Sequence, residues 1–263
     1  MSRYNSDHLI TWIGGKRLLR KLICKHIPLN INSYIEPFGG GAWVLFAKDK
    51  HAKLEVYNDL DSRLVNLFRV VKFHPKALIE ELNFCFNSRE QFREFLNSTP
   101  WTDIQQAAKF IYLLHHSFGG KGSTYGTCLN GNSSAKSCLN LQERIKAISK
   151  RLDKVYIEHL SFEELISKYD NENALFYCDP PYTQGTGYLV ANSKTFQHEL
   201  LKDILSNLKG KFILSYDDSE KVRELYKDFI IIPVERQNGI NGKNPKNKVY
   251  KELIIKNFDD SSW

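Results

Sequence analysis

The sequence predicts an α/β fold built on a Rossmann-like, mostly parallel sheet that a helical insert interrupts. Three observations predict it. Short apolar runs that read as buried strands alternate with longer stretches of helical periodicity, both near the N-terminus and after residue 150. The first strand turns through Pro37-Phe38-Gly39-Gly40-Gly41, the kind of glycine turn with which such a sheet begins. Between residues 74 and 150 the strand signal disappears and only helical patterns remain.

Trp12-Ile13-Gly14-Gly15-Lys16 opens onto a helix whose expected apolar face is Leu18, Leu19, Leu22, Ile23 and Ile27, stopped by Pro28. It is not a phosphate loop, because that pattern needs Gly at 10 and Ser or Thr at 17, where Ile10 and Arg17 stand. Residues 33–36 are the expected first strand, and an apolar helix is expected from Ala42 through Ala47 after the glycine turn. Counting G-x-G-x-x-G from Gly39 lands on Val44, so the dinucleotide fingerprint fails. Three consecutive glycines suit a nucleoside-like cofactor without a pyrophosphate, although such turns also join strands to helices where no ligand binds. Residues 54–57 form the second strand, ending at Asn58-Asp59, and a helix follows from Asp61 to Val71. Asp59 stands about 20 positions after the glycine turn, where an acid can bond ribose hydroxyls. Capping the next helix is its other reading, and Asp61 could serve as that cap instead.

Helical patterns at 75–86, 89–97, 103–117 and 139–151 make up the insert. Between the last two lies a loop, residues 118–137, rich in Gly, Ser and Asn; a loop this long is usually functional or disordered. Its Lys121, Ser123, Tyr125 and Lys136 suit contact with nucleic acid, and a flexible connection has the same composition. The sheet resumes at residues 155–157, then His159–Phe162 leads into a helix, and further strands are expected at 174–178, 212–216, 229–234 and 249–256. Helices at 197–208 and 218–227 separate them. Residues 236–251 hold five Lys or Arg and no acid, which makes Arg236, Lys243, Lys246 and Lys248 candidate phosphate contacts; a solvated basic hairpin is the alternative.

Asp179-Pro180-Pro181-Tyr182 concentrates the chemistry. The apolar run before it is released by two prolines, which puts the tetrapeptide at a strand's carboxyl end, where open α/β sheets bind ligands. Each proline fixes φ at about −65° and lacks an N–H. Asp179 and the carbonyl of Pro180 are therefore two rigid acceptors followed by an aromatic ring. They suit a flat substrate whose amino group donates two N–H bonds while its π-face stacks on Tyr182. A plain strand-ending turn, with Asp179 capping the next segment, would use the same residues.

A chain of 263 residues, 42% hydrophobic, can bury a full core as one large domain or one domain with an insertion. Its 37 Lys and Arg against 30 Asp and Glu give a net charge of +7, which fits a polyanionic partner such as nucleic acid. Five cysteines that are never spaced as C-x-x-C argue for a reducing compartment and against a disulfide frame or cysteine-rich zinc site. The start has no apolar signal region and no stretch approaches the ~20 apolar residues of a membrane span, so a cytoplasmic, soluble protein is expected.

With Trp12-Ile-Gly-Gly-Lys16, Glu36-Pro-Phe-Gly-Gly-Gly41, Asn58-Asp59, Ser161-Phe162 and Asp179-Pro-Pro-Tyr182 in this order, the chain resembles the Dam-like family of DNA adenine methyltransferases, which use S-adenosylmethionine. The resemblance runs from about Leu9 to Asn257. It implies a seven-stranded methyltransferase sheet made by residues 1–73 and 151–263, with 74–150 as an inserted target-recognition subdomain whose loop 118–137 contacts DNA. It further implies that Trp12 and Lys16 contact the cofactor, the lysine near its methionine carboxylate. Phe38, Gly39 and Gly41 would pass under the cofactor, Asp59 would bind its ribose, and Phe162, with Ser161 beside it, would flank its adenine. Asp179 would border both cofactor and target, and Asp179, Pro180 and Tyr182 would act on an adenine flipped from double-stranded DNA, without a metal or covalent intermediate. Family members that read GATC carry an arginine in the recognition hairpin, and residues 117–143 contain none, so GATC is not implied. Neighbouring possibilities are the amino group of cytosine, RNA, or a glutamine amide, where Ser or Asn tends to replace Asp179. The lack of any Pro-Cys pair stands against carbon-5 cytosine chemistry, whose nucleophile is a cysteine after proline. A catalytically silent DNA-binding protein is a further class, against which the intact tetrapeptide and glycine turn stand. The oligomeric state is left open, a monomer being compatible.

Overall fold

The computed structural model describes residues 8–12, 14–126, 139–183, 196–237 and 249–259. In chain order its elements are α1 (Arg20–Lys25), β1 (Ser33–Glu36), β2 (Leu54–Asn58), α2 (Ser62–Phe73), α3 (Pro75–Asn83), α4 (Arg89–Asn97), α5 (Asp103–His116), α6 (Leu139–Leu152), β3 (Val155–Glu158), α7 (Phe162–Tyr169), β4 (Ala174–Cys178), α8 (His198–Ser206), β5 (Lys211–Asp217), α9 (Glu220–Leu225), β6 (Ile230–Gln237) and β7 (Val249–Lys256). The strands form one sheet in the order β3-β2-β1-β4-β5-β7-β6. Five run parallel, β3 through β5 in that order, and β7 is antiparallel to both β5 and β6. The sheet is thus mostly parallel and Rossmann-like, as the alternating runs predicted.

β1 and β4 are buried at every position, which is why they read as continuous apolar runs. Strand alternation gives each face its own core. Tyr34 and Tyr57 join one cluster with Leu64, Leu67 and Phe68 of α2, and the same cluster takes in Leu78, Ile111, Tyr112, Ile145 and Ile148 from the helices that follow. Ile35 and Val56 point into the other cluster, with Phe176, Phe212, Leu165 and Leu201. From β1 the chain winds outward through β2 and β3, then returns to the centre for β4 and winds the other way into β5. The carboxyl ends of β1 and β4 therefore flank a crevice at the point of reversal.

Local chemistry sets the helix starts. Thr102 with Gln105 and Ser161 with Glu164 form capping boxes at α5 and α7, and Asp61 caps α2 by accepting the Arg63 N–H at 3.0 Å. Pro233 is tolerated because β6 is an edge strand. Two expectations are corrected. No α-helix follows the glycine turn: Ala42 takes a left-handed φ of 56°, which breaks the right-handed path at its start, and only a 3-10 turn forms at Leu45–Ala47. Leu18 is 54% exposed rather than part of an apolar face, since α1 begins only at Arg20. Lys136, Lys243, Lys246 and Lys248 lie outside the described residues. Among the described residues no helix is long and apolar enough to cross a membrane.

Candidate active site

The turn after β1 is shaped by neighbours that leave room only for glycine. A Cβ on Gly39 would stand 2.2 Å from the Tyr57 ring and 2.9 Å from the Asn58 carbonyl oxygen, and Gly40 adopts φ of 50°. The Tyr57 hydroxyl donates to the Gly40 carbonyl at 2.9 Å, and the Gly40 N–H donates to Asp59 Oδ2 at 2.8 Å. Asn58, 1% exposed, donates to the carbonyls of Pro37 at 2.9 Å and Leu160 at 3.1 Å, and its Oδ1 accepts the Leu160 N–H at 2.8 Å. One amide thus staples the ends of β1 and β2 to the loop that enters α7. Arg151 of α6 holds the segment beyond the glycines, donating to the carbonyls of Leu45 and Lys48 and to both oxygens of Glu55 at 2.7 and 2.8 Å. Removing one member of such a buried pair costs about 3–5 kcal/mol.

These strand ends enclose a cavity of about 240 Å³. Trp12, Lys16, Phe38, Gly39, Gly41, Asp59, Ser161, Phe162 and Asp179, the residues expected at the cofactor, all line it. Phe38, Phe162 and Phe196 make an aromatic cluster with centroids 5.5 to 5.6 Å apart. Across the glycines stand Trp12 and Trp43. A Cβ on Gly15 would lie 2.4 Å from Trp43 Nε1, so that position must stay bare unless the indole shifts, and one on Gly41 would make tight contacts of 3.1 Å with that atom and 3.2 Å with Trp12 Cβ. The Trp43 ring stacks on His8 at 4.5 Å, yet its buried Nε1–H has no acceptor among the described residues. A buried donor left unmet beside a cavity is a place for a ligand's anionic group.

Glu36, Asp59, Asp61, Glu163 and Asp179 line the cavity with Lys16, the one cation among its described lining residues. The field suits a cationic ligand. Asp59 does not cap the helix; its Oδ1 takes the Asp61 N–H at 2.8 Å, and burial pushes its carboxyl up to about 6 despite two backbone bonds. Glu36 is buried, accepts the Tyr34 hydroxyl at 2.6 Å, and is pushed up to about 8, chiefly by burial. The Ser161 hydroxyl accepts the Glu164 N–H at 3.3 Å as the α7 cap.

Asp179 leaves β4 into the same cavity. Its Oδ1 receives Lys16 Nζ at 2.6 Å, and that ammonium also donates to the Gly14 carbonyl at 3.1 Å and lies 4.7 Å from the centre of the Tyr182 ring. The Tyr182 hydroxyl donates to Glu252 Oε2 at 2.8 Å, and its ring stacks on Tyr216 at 5.8 Å. Thr183 donates its N–H and its hydroxyl to Asp217 at 2.9 and 2.6 Å, which ties the segment after Tyr182 to β5. Pro180 is buried. Burial also raises the Cys178 thiol, so the residue next to Asp179 is no thiolate nucleophile.

Sequence reasoning missed Glu36, Trp43, Tyr177, Phe196 and Glu252. Glu36 and Glu252 carried a signal, since each is an acid inside a strand pattern of apolar residues, and such an acid is buried only with partners. Phe196 carried none. Of the expected DNA contacts, Lys121 and Ser123 are exposed and away from the cavity lining. Tyr125 is half-buried, edge-on to Phe92 at 5.4 Å with the Arg89 guanidinium 5.4 Å from its ring, and Arg236 lies on the edge strand β6.

Residues 12–240 match the family described as D12 class N6 adenine-specific DNA methyltransferase. The type II methyltransferase M1.LlaDCHI of Lactococcus lactis subsp. cremoris is 29% identical over 285 residues, covering 98% of this chain and 97% of the relative. The type II methyltransferase M.CviBI of Paramecium bursaria Chlorella virus NC1A is 24% identical, covering 95% and 99%, and a DNA adenine methylase of Haemophilus influenzae is 25% identical, covering 93% and 91%. A crevice at the β1–β4 reversal, closed by a glycine turn and an Asp-Pro-Pro-Tyr strand end, meets that match over most of the length: the chain belongs to the D12 class N6 adenine-specific DNA methyltransferases.

Proposed function

We propose that this chain transfers a methyl group from S-adenosylmethionine to the exocyclic amino group of an adenine flipped out of double-stranded DNA at a specific sequence. The observation that carries it is the place of Asp179, which lines the cavity and shares the Lys16 ammonium with the ring of Tyr182. The cavity residues fit the cofactor. Phe38, Phe162 and Phe196 offer flat apolar walls to its adenine, and Asp59 offers an acceptor to its ribose hydroxyls. The Trp43 N–H and Lys16 are donors for its carboxylate, and the surrounding acids match its cationic end. When bound, S-adenosylmethionine supplies an electrophilic methyl group on its sulfonium.

The chain's own residues do the rest. An adenine amino group is a poor nucleophile because its lone pair is delocalised into the ring. Asp179 and the Pro180 carbonyl accept its two N–H bonds, which favours localising that pair, and the carboxylate stabilises positive charge as it develops on nitrogen. Tyr182, held through its hydroxyl by Glu252, gives the extruded base a stacking surface. Residues 74–150 serve as the target-recognition subdomain, with loop 118–137 meeting base edges, and the turn at 236–248 neutralises phosphates. The test is incubation with labelled S-adenosylmethionine and unmethylated duplex DNA, followed by nucleoside analysis and sequencing of the modified sites. N6-methyladenine at one sequence is expected; label in cytosine, in RNA alone, or nowhere overturns the reading.

A further inference from the structure

We propose that Glu252 is a positioning residue of the base-binding site, taking over the Lys16 ammonium when the target base displaces it from Asp179 and from the Tyr182 ring. The proposal rests on the reading that Asp179 and Tyr182 hold the target adenine. Both features are already occupied by the same group: Lys16 Nζ stands 2.6 Å from Asp179 Oδ1 and 4.7 Å from the Tyr182 ring centre. Asp179 keeps further lone pairs for a base N–H, but the ammonium neutralises that carboxylate and covers that face of the ring, so a base cannot stack there until the ammonium yields.

Lys16 is only 5% exposed, so releasing its charge without another partner would be costly. A second carboxylate stands ready. Glu252 Oε2 lies 3.9 Å from Lys16 Nζ, just beyond bonding distance, and Glu252 is 4% exposed. A movement of about 1 Å by a side chain with four rotatable bonds would bring the ammonium to charge-assisted contact. The aim of Glu252 is fixed from two directions. Its Oε2 already accepts the Tyr182 hydroxyl at 2.8 Å, and β7 sets it directly opposite Asp217, which grips Thr183. The acid that orients the stacking ring is therefore also the acid that can draw the cation off the base's acceptor. This accounts for two carboxylates, one of them buried, around one buried lysine.

Glu252→Gln keeps the volume and an acceptor for Tyr182 but removes the negative charge. Lys16→Met removes the occupant together with a donor proposed for the cofactor's carboxylate, so the cofactor affinity of every variant is measured first and saturation is set from it. Single-turnover methylation at saturating cofactor is measured for both variants and for the double variant, with duplex affinity and thermal melting alongside. The expected result is that Glu252→Gln slows transfer about tenfold or more at unchanged duplex affinity, and that adding Lys16→Met recovers at least about threefold of that loss. A Glu252→Gln rate within about twofold of the parent, or a double variant no faster than Glu252→Gln, overturns the proposal. Should Glu252→Gln melt early, Lys16→Met alone is bound to a duplex carrying 2-aminopurine at the methylated adenine, without cofactor. Its base-extrusion fluorescence should change more than the parent's, and an unchanged signal overturns the proposal equally. A Glu252 result that fails while Asp179→Ala still abolishes transfer removes only this inference; if Asp179→Ala stays active, the functional reading itself falls.

Discussion

On the proposed mechanism Asp179→Ala removes an acceptor of the adenine amino group, and the surroundings of Asp179 set both the catalytic and the structural size of the effect. On the catalytic side, one charge-assisted acceptor is lost from a water-excluded site, which costs about 3–4 kcal/mol of transition-state stabilisation, or roughly 10²–10³ in rate. On the structural side, Lys16 loses its partner at 2.6 Å but keeps the Gly14 carbonyl at 3.1 Å and Glu252 at 3.9 Å. The fold should therefore lose less than the ~3–5 kcal/mol of a fully orphaned buried charge. At about 2–4 °C per kcal/mol for a chain of this size, the melting temperature should fall by only a few degrees. Single-turnover transfer from labelled S-adenosylmethionine reads the rate, and thermal melting with duplex binding reads the rest. A variant that retains more than about a tenth of the parent rate would refute the two-acceptor reasoning, because a loss below ~1.4 kcal/mol is too small for that contact.

Four more outcomes are expected. Glu36 has a folded-state pKa of about 8 against an ordinary value of 4.5, so its contribution to stability is full below about pH 4.5 and is lost as pH rises through about 8. Urea melts should thus show parent stability falling more steeply than that of Glu36→Gln between about pH 4.5 and 8, with the difference levelling off above that. Binding of a cationic cofactor should release a proton near pH 7 in the parent only, a difference that calorimetry in two buffers detects. Gly15→Ala would place a Cβ 2.4 Å from Trp43 Nε1, so its cofactor affinity should fall about tenfold or more, and an unchanged affinity would refute the cradle. Replacing Lys246 and Lys248 by Ala should weaken binding to all duplexes alike and lower the salt slope by about two, whereas changing Lys121 and Ser123 should shift site preference in a random library. The opposite pattern would mean that the two roles are exchanged.

Much of the fold was legible because buried parallel strands write themselves as uninterrupted apolar runs, as at residues 174–178, and because prolines and glycines punctuate them. Helix starts were legible wherever a cap stood before an apolar repeat, as at Thr102 and Ser161. The segment after the glycine turn failed for a physical reason: from Ala42 to Phe46 every side chain is buried, so periodicity cannot distinguish helix from irregular chain. The expected cofactor residues of the contiguous motifs, from Trp12 to Phe162 together with Asp179, come together on one cavity, whereas Pro180 and Tyr182 are not part of its lining. Those that sequence reasoning missed act across the fold, and pairs such as Tyr182 with Glu252, 70 residues apart, are brought together only by the β5–β7 pairing. Ser161 shows the converse, since its hydroxyl caps α7 as well as bordering the cavity, and one residue type supports both roles.

The distribution of charge explains how one chain can receive two ligands of opposite sign. The whole sequence carries +7, yet five carboxyl groups and a single lysine line the described cavity. A duplex drawn by the first field is opposed by the second, so its phosphates are favoured outside and disfavoured within. A neutral base pulled from the stack is the part of the duplex that can enter without that repulsion. A sulfonium cofactor meets the reverse condition and is favoured only inside. Lys16 is bonded to Asp179 and lies on the Tyr182 ring, the two groups proposed to receive the base. On that proposal the electrostatics favour a base over its backbone before any hydrogen bond to that base is made, and the position of one buried ammonium governs when the base can enter.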